Sequence, residues 1–216
     1  MRTIFVDVDV QRDFCEPSGS LYVKGSPTDA MRRLVAYAVA HHIPIIGSVD
    51  SHAWDAWEFA STSLTGPNGE KPNFPEHCVK GTPGWLKVDG TLPPRFRFVP
   101  NVASAPIASI VDEVVRGETQ GVYFEKEVYS LFVNPLADPF VKALAERYGE
   151  PLSFVVFGVA TDYCVRAAAL GLAERGYATT LVTDASAGIT KKGVAKALQE
   201  MRAAGVKLET SSQVTP

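Results

Sequence analysis

The sequence predicts an α/β fold, a mostly parallel sheet with helices on both faces. Two observations carry that prediction. Short apolar runs rich in Val, Ile and Phe alternate along the chain with segments whose apolar residues recur at helical spacing. At or just past the ends of four of these runs stand residues of catalytic type: Asp9, then Asp50 with His52, then Lys126, then Cys164. In a parallel sheet the carboxyl ends of the strands share one edge, where such sheets bind ligands, so residues remote in sequence would converge there.

The elements follow in order. Residues 4–8 read as the first strand. Residues 28–41 follow as a helix, with Met31, Leu34, Val35, Ala38 and Val39 at apolar positions. Residues 43–49 are the second strand, with Pro44 near the start, where its missing N–H is tolerated. Residues 50–100 are loop-rich and broken by Gly66-Pro67-Asn68-Gly69, Lys71-Pro72-Asn73, Gly81-Thr82-Pro83-Gly84 and Pro93-Pro94. Trp54, Trp57, Phe59, Phe74, Trp85 and Leu86 give that stretch apolar anchors, so it reads as a functional lid rather than as disorder. Residues 106–116 form a helix, 121–124 a strand and 136–147 a helix. Residues 153–157 are the strand that leads to Cys164, and 163–174 are its helix. Residues 178–183, 190–204 and 206–208 close the chain as strand, helix and short strand.

The chain has 216 residues, 46% of them hydrophobic, which suits a single domain over residues 1–216. The net charge of −3 is spread without a basic stripe, which argues against nucleic acid or an anionic membrane as partner. No apolar run reaches the roughly 18 residues of a membrane span. The chain enters a strand-like run at Thr3, with no visible export signal, and its three cysteines lie far apart. Reduced thiols and a cytoplasmic location are the expectation. A homo-oligomer is compatible with all of this.

Cys164 stands where a helix begins just past a buried strand. The unpaired N–H groups of a helix's first turn favour a thiolate and can receive an oxyanion. Asp9 can take a thiol proton and later return one to a leaving group. Lys126 would stabilise the thiolate and keep Asp9 charged. Together they suit acyl transfer to sulfur, loss of an amine and hydrolysis of a thioester. Taken singly, each has a plainer role: Cys164 as packing, Asp9 as a cap, Lys126 in a solvated Glu125-Lys126-Glu127 cluster. Cys15 and Cys78 are rival thiols. Glu16 beside Cys15 disfavours its thiolate, and His77 next to Cys78 has another use.

That use is metal binding. Asp50-x-His52 on an extended segment points both side chains one way, and His77 adds a second imidazole. Such a set suits zinc, iron or manganese. The fourth ligand stays open among Glu70, Glu58 and Asp55. His41 and His42, at the end of the first helix, carry no assigned chemistry.

Five blocks now stand in order: Val8-Asp9-Val10-Gln11-Arg12-Asp13-Phe14-Cys15, Asp50-Ser51-His52, Phe74-Pro75-Glu76-His77-Cys78-Val79-Lys80-Gly81-Thr82, Glu125-Lys126, and Gly158-Val159-Ala160-Thr161-Asp162-Tyr163-Cys164-Val165. Over residues 3–205 the chain resembles the isochorismatase-like cysteine hydrolases, and within them the nicotinamidase/pyrazinamidase branch. The resemblance implies a six-stranded parallel sheet and a catalytic triad of Asp9, Lys126 and Cys164. It also implies a cis peptide bond before Ala160 and an oxyanion hole built from the Ala160 and Cys164 N–H groups. It implies hydrolysis of nicotinamide, and of pyrazinamide, to the acid and ammonia, with one divalent metal ion at Asp50, His52 and His77. Zinc is the first expectation, and manganese or iron the others.

Two positions depart from the family's pattern. Ala56 stands where many members have a further histidine ligand. A sub-branch uses instead a glutamate seven residues before the last histidine, which selects Glu70 as fourth ligand over Glu58. Tyr163 replaces a histidine that many relatives carry before the cysteine. By the same resemblance Phe14, Phe74 and Phe132, with Tyr163, would wall the substrate. The competing readings are a metal-poor cysteine amidase acting on a carbamoyl or ureido compound, and a non-catalytic binding protein on the same fold.

Overall fold

A computed structural model describes residues 1–66 and 69–215. Pro67 and Asn68, part of one turn cluster noted above, lie outside the described residues. The strands are β1 (Arg2–Val8), β2 (Ile45–Asp50), β3 (Phe96–Val99), β4 (Gly121–Lys126), β5 (Leu152–Val159), β6 (Ala178–Ala187) and β7 (Lys207–Glu209). The helices are α1 (Arg12–Cys15), α2 (Thr28–Ala40), α3 (Ile107–Val115), α4 (Ala137–Tyr148), α5 (Cys164–Glu174), α6 (Lys191–Ala203) and α7 (Ser211–Val214). The seven strands form one sheet in the order β3-β4-β2-β1-β5-β6-β7, and every neighbouring pair is parallel.

Alternation along the central strand divides the core in two. Ile4, Val6 and Val8 face a cluster with residues of α3, α4, α5 and α6, among them Val111, Phe140, Ala168 and Met201. Phe5 faces the other side, where Met31, Leu34 and Ala38 of α2 pack with Val23, Cys78 and Val88 from the connecting segments. Buried on both faces, the central strands read as nearly continuous apolar runs, which is why they were visible in the sequence.

One strand was not. The expected sheet had six strands, and β3 is the seventh, at the edge against β4. It is four residues long and lies between Pro94 and Pro100. Arg95 before it and Arg97 within it look like loop residues. In the fold, Arg97 makes a paired contact to Glu113 (3.0 and 2.9 Å) and Arg95 donates to the carbonyls of Glu118 and Gly117 (2.8 and 2.9 Å). Charge on a short edge strand blunts it against pairing with another chain.

The sheet's most crowded point is Gly158. β5 shifts register against β6 between Val156 and Gly158. Gly158 has φ 129, and a Cβ there would lie 2.0 Å from the Val8 carbonyl oxygen. Gly158→Ala is therefore expected to cost about 3 kcal/mol or more. A urea unfolding midpoint unchanged from the native chain would contradict that geometry.

Candidate active site

The strand order reverses at β1, which lies between β2 and β5. The carboxyl edge there is the crevice such sheets use. β1 stops at Val8, and Asp9 follows with φ 49, in the left-handed region. The Asp9 N–H donates to the Ser48 carbonyl (3.1 Å), and the Asp9 carbonyl accepts from the Gln11 N–H (2.7 Å). Asp50 and Lys126 end β2 and β4 and are direct partners in the parallel register. Cys164 is the first residue of α5, five residues after the last of β5.

Lys126 holds these residues together. Its Nζ lies 2.8 Å from Asp9 Oδ2, 3.0 Å from Asp50 Oδ1 and 3.6 Å from Cys164 Sγ. It has no solvent exposure, so it is no member of a solvated charge cluster. Its neighbour Glu125 is bound instead by Lys80 (2.8 and 2.7 Å). Burial works against the Lys126 ammonium, but Asp50 and Asp9 outweigh it and push its pKa well above the usual lysine value. Burial opposes ionisation of Asp50 too, yet Lys126 and the two imidazoles hold it well below the usual carboxylate range. Asp9 Oδ1 accepts from the Ser48 hydroxyl at 2.7 Å.

The thiol is the neutral partner. Burial pushes Cys164 well above the ordinary thiol value, Lys126 pulls it down, and the charge of Asp9 pushes it up. One ammonium bridges this sulfur and the Asp9 carboxylate, which puts a proton acceptor on the thiol's own side of the site. The turn before it is tight. The Val159–Ala160 peptide bond is cis, and the Ala160 carbonyl accepts from the N–H groups of Tyr163 (2.9 Å) and Val165 (3.1 Å).

Beside Asp50 stands a second cluster. One donor atom each from Asp50, His52, Glu58 and His77 lies within 4.8 Å of all the others, and all four residues are buried. His52 Nε2 is 2.7 Å from Glu58 Oε1 and 3.2 Å from Asp50 Oδ2, and His77 Nε2 is 3.5 Å from each of the same oxygens. His52 Nε2 is buried without a well-formed hydrogen bond to either carboxylate. The His77 Nδ1 is 2.8 Å from the Pro75 carbonyl, and donating there leaves its Nε2 lone pair facing the cluster. Burial opposes protonation of His52, but the carboxylates of Asp50 and Glu58 push it up to about 9. Once His52 gives up that proton, lone pairs from two imidazoles and two carboxylates converge and fit a borderline divalent cation.

Glu58 therefore stands where the sequence pattern selected Glu70. The Glu58 carbonyl accepts from the N–H groups of Asn73 and Phe74 (3.0 and 3.1 Å), and this pairing folds the lid so that the Glu58 side chain turns inward beside His52. Glu70 is not part of that cluster. It is exposed, its carbonyl accepts from the Gly66 N–H (2.8 Å), and its carboxylate lies against Gly66 on the wall of an outer cavity.

A cavity opens over Cys164, lined among others by Phe14, Phe74, Tyr163, Ala160 and His77. Phe14 and Phe74 flank His77, with ring centroids 5.4 and 5.9 Å from its ring. Phe132 is not in this cavity. It packs instead on α5 against Gly171, with the Arg175 guanidinium 3.7 Å above its ring. The turn Leu131–Val133 directs it to the helix and away from the sheet edge. Sequence reasoning missed Tyr129, which lines the cavity with its ring 5.2 Å from Tyr163. It also missed Ser48, although strand alternation puts Ser48 and Asp50 on one side of β2.

The isochorismatase domain family model matches residues 3–213, and the chain belongs to that family. Among its relatives, a nicotinamidase/pyrazinamidase of Mycobacterium tuberculosis is 31% identical over 98% of this chain and 100% of its own length. A nicotinamidase of Escherichia coli is 28% identical, over 94% of this chain and 92% of its own. The fold is shared with the pyrazinamidase of Pyrococcus horikoshii in complex with zinc (TM-score 0.67, 24% identity, covering 97% of this chain and 99% of that one). It is shared also with an L. infantum protein in complex with nicotinate (TM-score 0.69, 21% identity, 98% and 93%).

Proposed function

We propose that the chain is a nicotinamidase, which hydrolyses nicotinamide, and pyrazinamide, to the carboxylic acid and ammonia through a thioester on Cys164. The observation that carries this reading is one lysine nitrogen in contact with Asp9, Asp50 and the Cys164 sulfur, beside an Asp-His-Glu-His cluster and under aromatic walls. Relatives named for this activity, matched over 98% and 94% of this chain, support it.

Phe14 and Phe74 bury the faces of a flat ring and set its amide carbon over Cys164. As sulfur attacks that carbon, Asp9 takes the thiol proton and a C–S bond forms. The Ala160 and Cys164 N–H groups receive the negative oxygen. Asp9 returns the proton to the amide nitrogen, the C–N bond breaks and ammonia leaves. Asp9 then takes a proton from water as the water oxygen attacks the thioester. The C–S bond breaks, and the acid and the reprotonated thiol remain. The Lys126 ammonium pairs with the Asp9 carboxylate at 2.8 Å and holds it beside the sulfur. Asp50, His52, Glu58 and His77 would hold a divalent cation, which supplies a Lewis-acidic position that orients the ring nitrogen. Two carboxylates make this donor set harder than a histidine-rich one, so manganese and iron compete with zinc for it.

The intact cluster speaks against a metal-poor amidase, and the Lys126 contacts speak against a mere binder. All three cysteines are unpaired, in keeping with a cytoplasmic location, and no described helix is long and apolar enough to cross a membrane. Purified protein should release ammonia from nicotinamide, and prolonged treatment with a strong chelator should lower the rate at least about tenfold. No ammonia from metal-replete protein would overturn the proposal.

A further inference from the structure

β1 leaves the sheet before β2 ends. Their last paired residues are Val8 and Ser48, and the turn at Asp9 takes the chain away. Asp50 runs on beyond that point, with its N–H and carbonyl turned toward the side β1 has vacated. The side chain of Gln11 fills the gap. Gln11 Oε1 accepts from the Asp50 N–H (2.7 Å), and Gln11 Nε2 donates to the Asp50 carbonyl (2.8 Å). A primary amide has the donor and acceptor of a peptide group, and here it continues the ladder that β1 abandons. The remaining Nε2 hydrogen goes to the Trp85 carbonyl (2.8 Å), on the segment that pairs with residues 10–12 through Arg12 N–H to Leu86 O (2.9 Å) and Val88 N–H to Val10 O (3.1 Å). Gln11 is wholly buried and all its polar atoms are used.

The residue so held is the one both clusters share. Asp50 Oδ1 meets Lys126, and Asp50 Oδ2 meets His52 and His77. We propose that Gln11 is a positioning residue: through the backbone of Asp50 it sets the cation affinity of the Asp50-His52-Glu58-His77 cluster. This rests on reading that cluster as a metal site. Only a glutamine provides one acceptor and two donors at this reach. Glutamate would face the Asp50 and Trp85 carbonyls with acceptors alone, and asparagine is one carbon too short.

The test uses purified full-length chain stripped of metal, with Co²⁺ as probe. Its affinity is measured against a competing chelator, and its visible absorption bands report ligand geometry. Gln11→Met keeps the volume and removes all three hydrogen bonds, while Gln11→Glu keeps the acceptor for the Asp50 N–H and serves if the methionine variant does not fold. Leu144→Ala, in the core cluster on the other face of the sheet from Val10 and Phe14, controls for general loss of stability. The expected result is a fall in Co²⁺ affinity of about tenfold or more, with shifted bands, in the Gln11 variants. Leu144→Ala should match or exceed their loss of stability and change neither readout. Native-like affinity and spectrum in a folded Gln11 variant would overturn the proposal, as would equal changes in Leu144→Ala. A native chain that took up no Co²⁺ would instead overturn the metal-site reading beneath it.

Discussion

Cys164→Ala should abolish ammonia release from nicotinamide, by about a million-fold, as expected when the nucleophile of a cooperating set is removed. It should leave fold and metal content intact, and the charges around the thiol explain why. Burial keeps Cys164 neutral, so its removal takes no charge from the cluster. Lys126 retains both carboxylates, at 2.8 and 3.0 Å, and no buried ion is left unpaired. Cys164 is not one of the Asp50-His52-Glu58-His77 donors, so cation uptake should match the native chain. Cys164→Ser should fare little better than alanine. Asp9 can accept a proton from a thiol far more readily than from an alcohol. Ammonia assay, unfolding midpoint and metal analysis on one preparation check all three parts. Turnover surviving in Cys164→Ala would mean that another nucleophile, such as a metal-activated water, does the work.

The parts of the molecule legible in the sequence are those whose physics is local. β1, β2 and β5 are buried on both faces, so their apolar runs needed no partner to be recognised. The five longer helices match within a residue at each end, because their amphipathic spacing is a property of the segment itself, while the four-residue α1 and α7 are too short to show any such spacing. The convergence of Asp9, Asp50, Lys126 and Cys164 was legible as well, since parallel topology alone delivers strand ends to one edge. What failed was non-local. β3 is a strand only because β4 lies beside it and because Glu113 and two carbonyls absorb its arginines. Phe132 is a wall candidate only by resemblance to the family, and its direction is set by packing on Gly171. Gln11 stood in a recognised block, yet its role depends on where β1 stops relative to β2, which no spacing within residues 8–15 records.

The choice between Glu58 and Glu70 is the sharpest case, and it leads to the second large effect. Both acids lie in the lid, and both had been weighed as the fourth ligand. Pairing of the Glu58 backbone with Asn73 and Phe74 brings the Glu58 carboxylate to 2.7 Å from His52 Nε2 and leaves Glu70 exposed on the outer wall. Glu58→Ala should therefore weaken cation binding by about a hundredfold or more, beyond the 10–100-fold typical of residues that merely support a ligand. Glu70→Ala should stay within about twofold of the native chain. The consequence for stability has a definite size. A cation that binds only the folded chain stabilises it by RT ln(1 + [L]/Kd), so a hundredfold weaker site forfeits about 2.7 kcal/mol at saturating native concentrations. The rise in unfolding midpoint on adding metal should thus shrink sharply in Glu58→Ala and persist in Glu70→Ala, measured at one fixed metal concentration. Glu58→Gln should fall between, since it keeps an oxygen toward the cluster but loses the charge that complements a dication. If Glu70→Ala lost the metal-dependent shift while Glu58→Ala kept it, the lid would bind the cation in a different arrangement, with the outer acid swung inward.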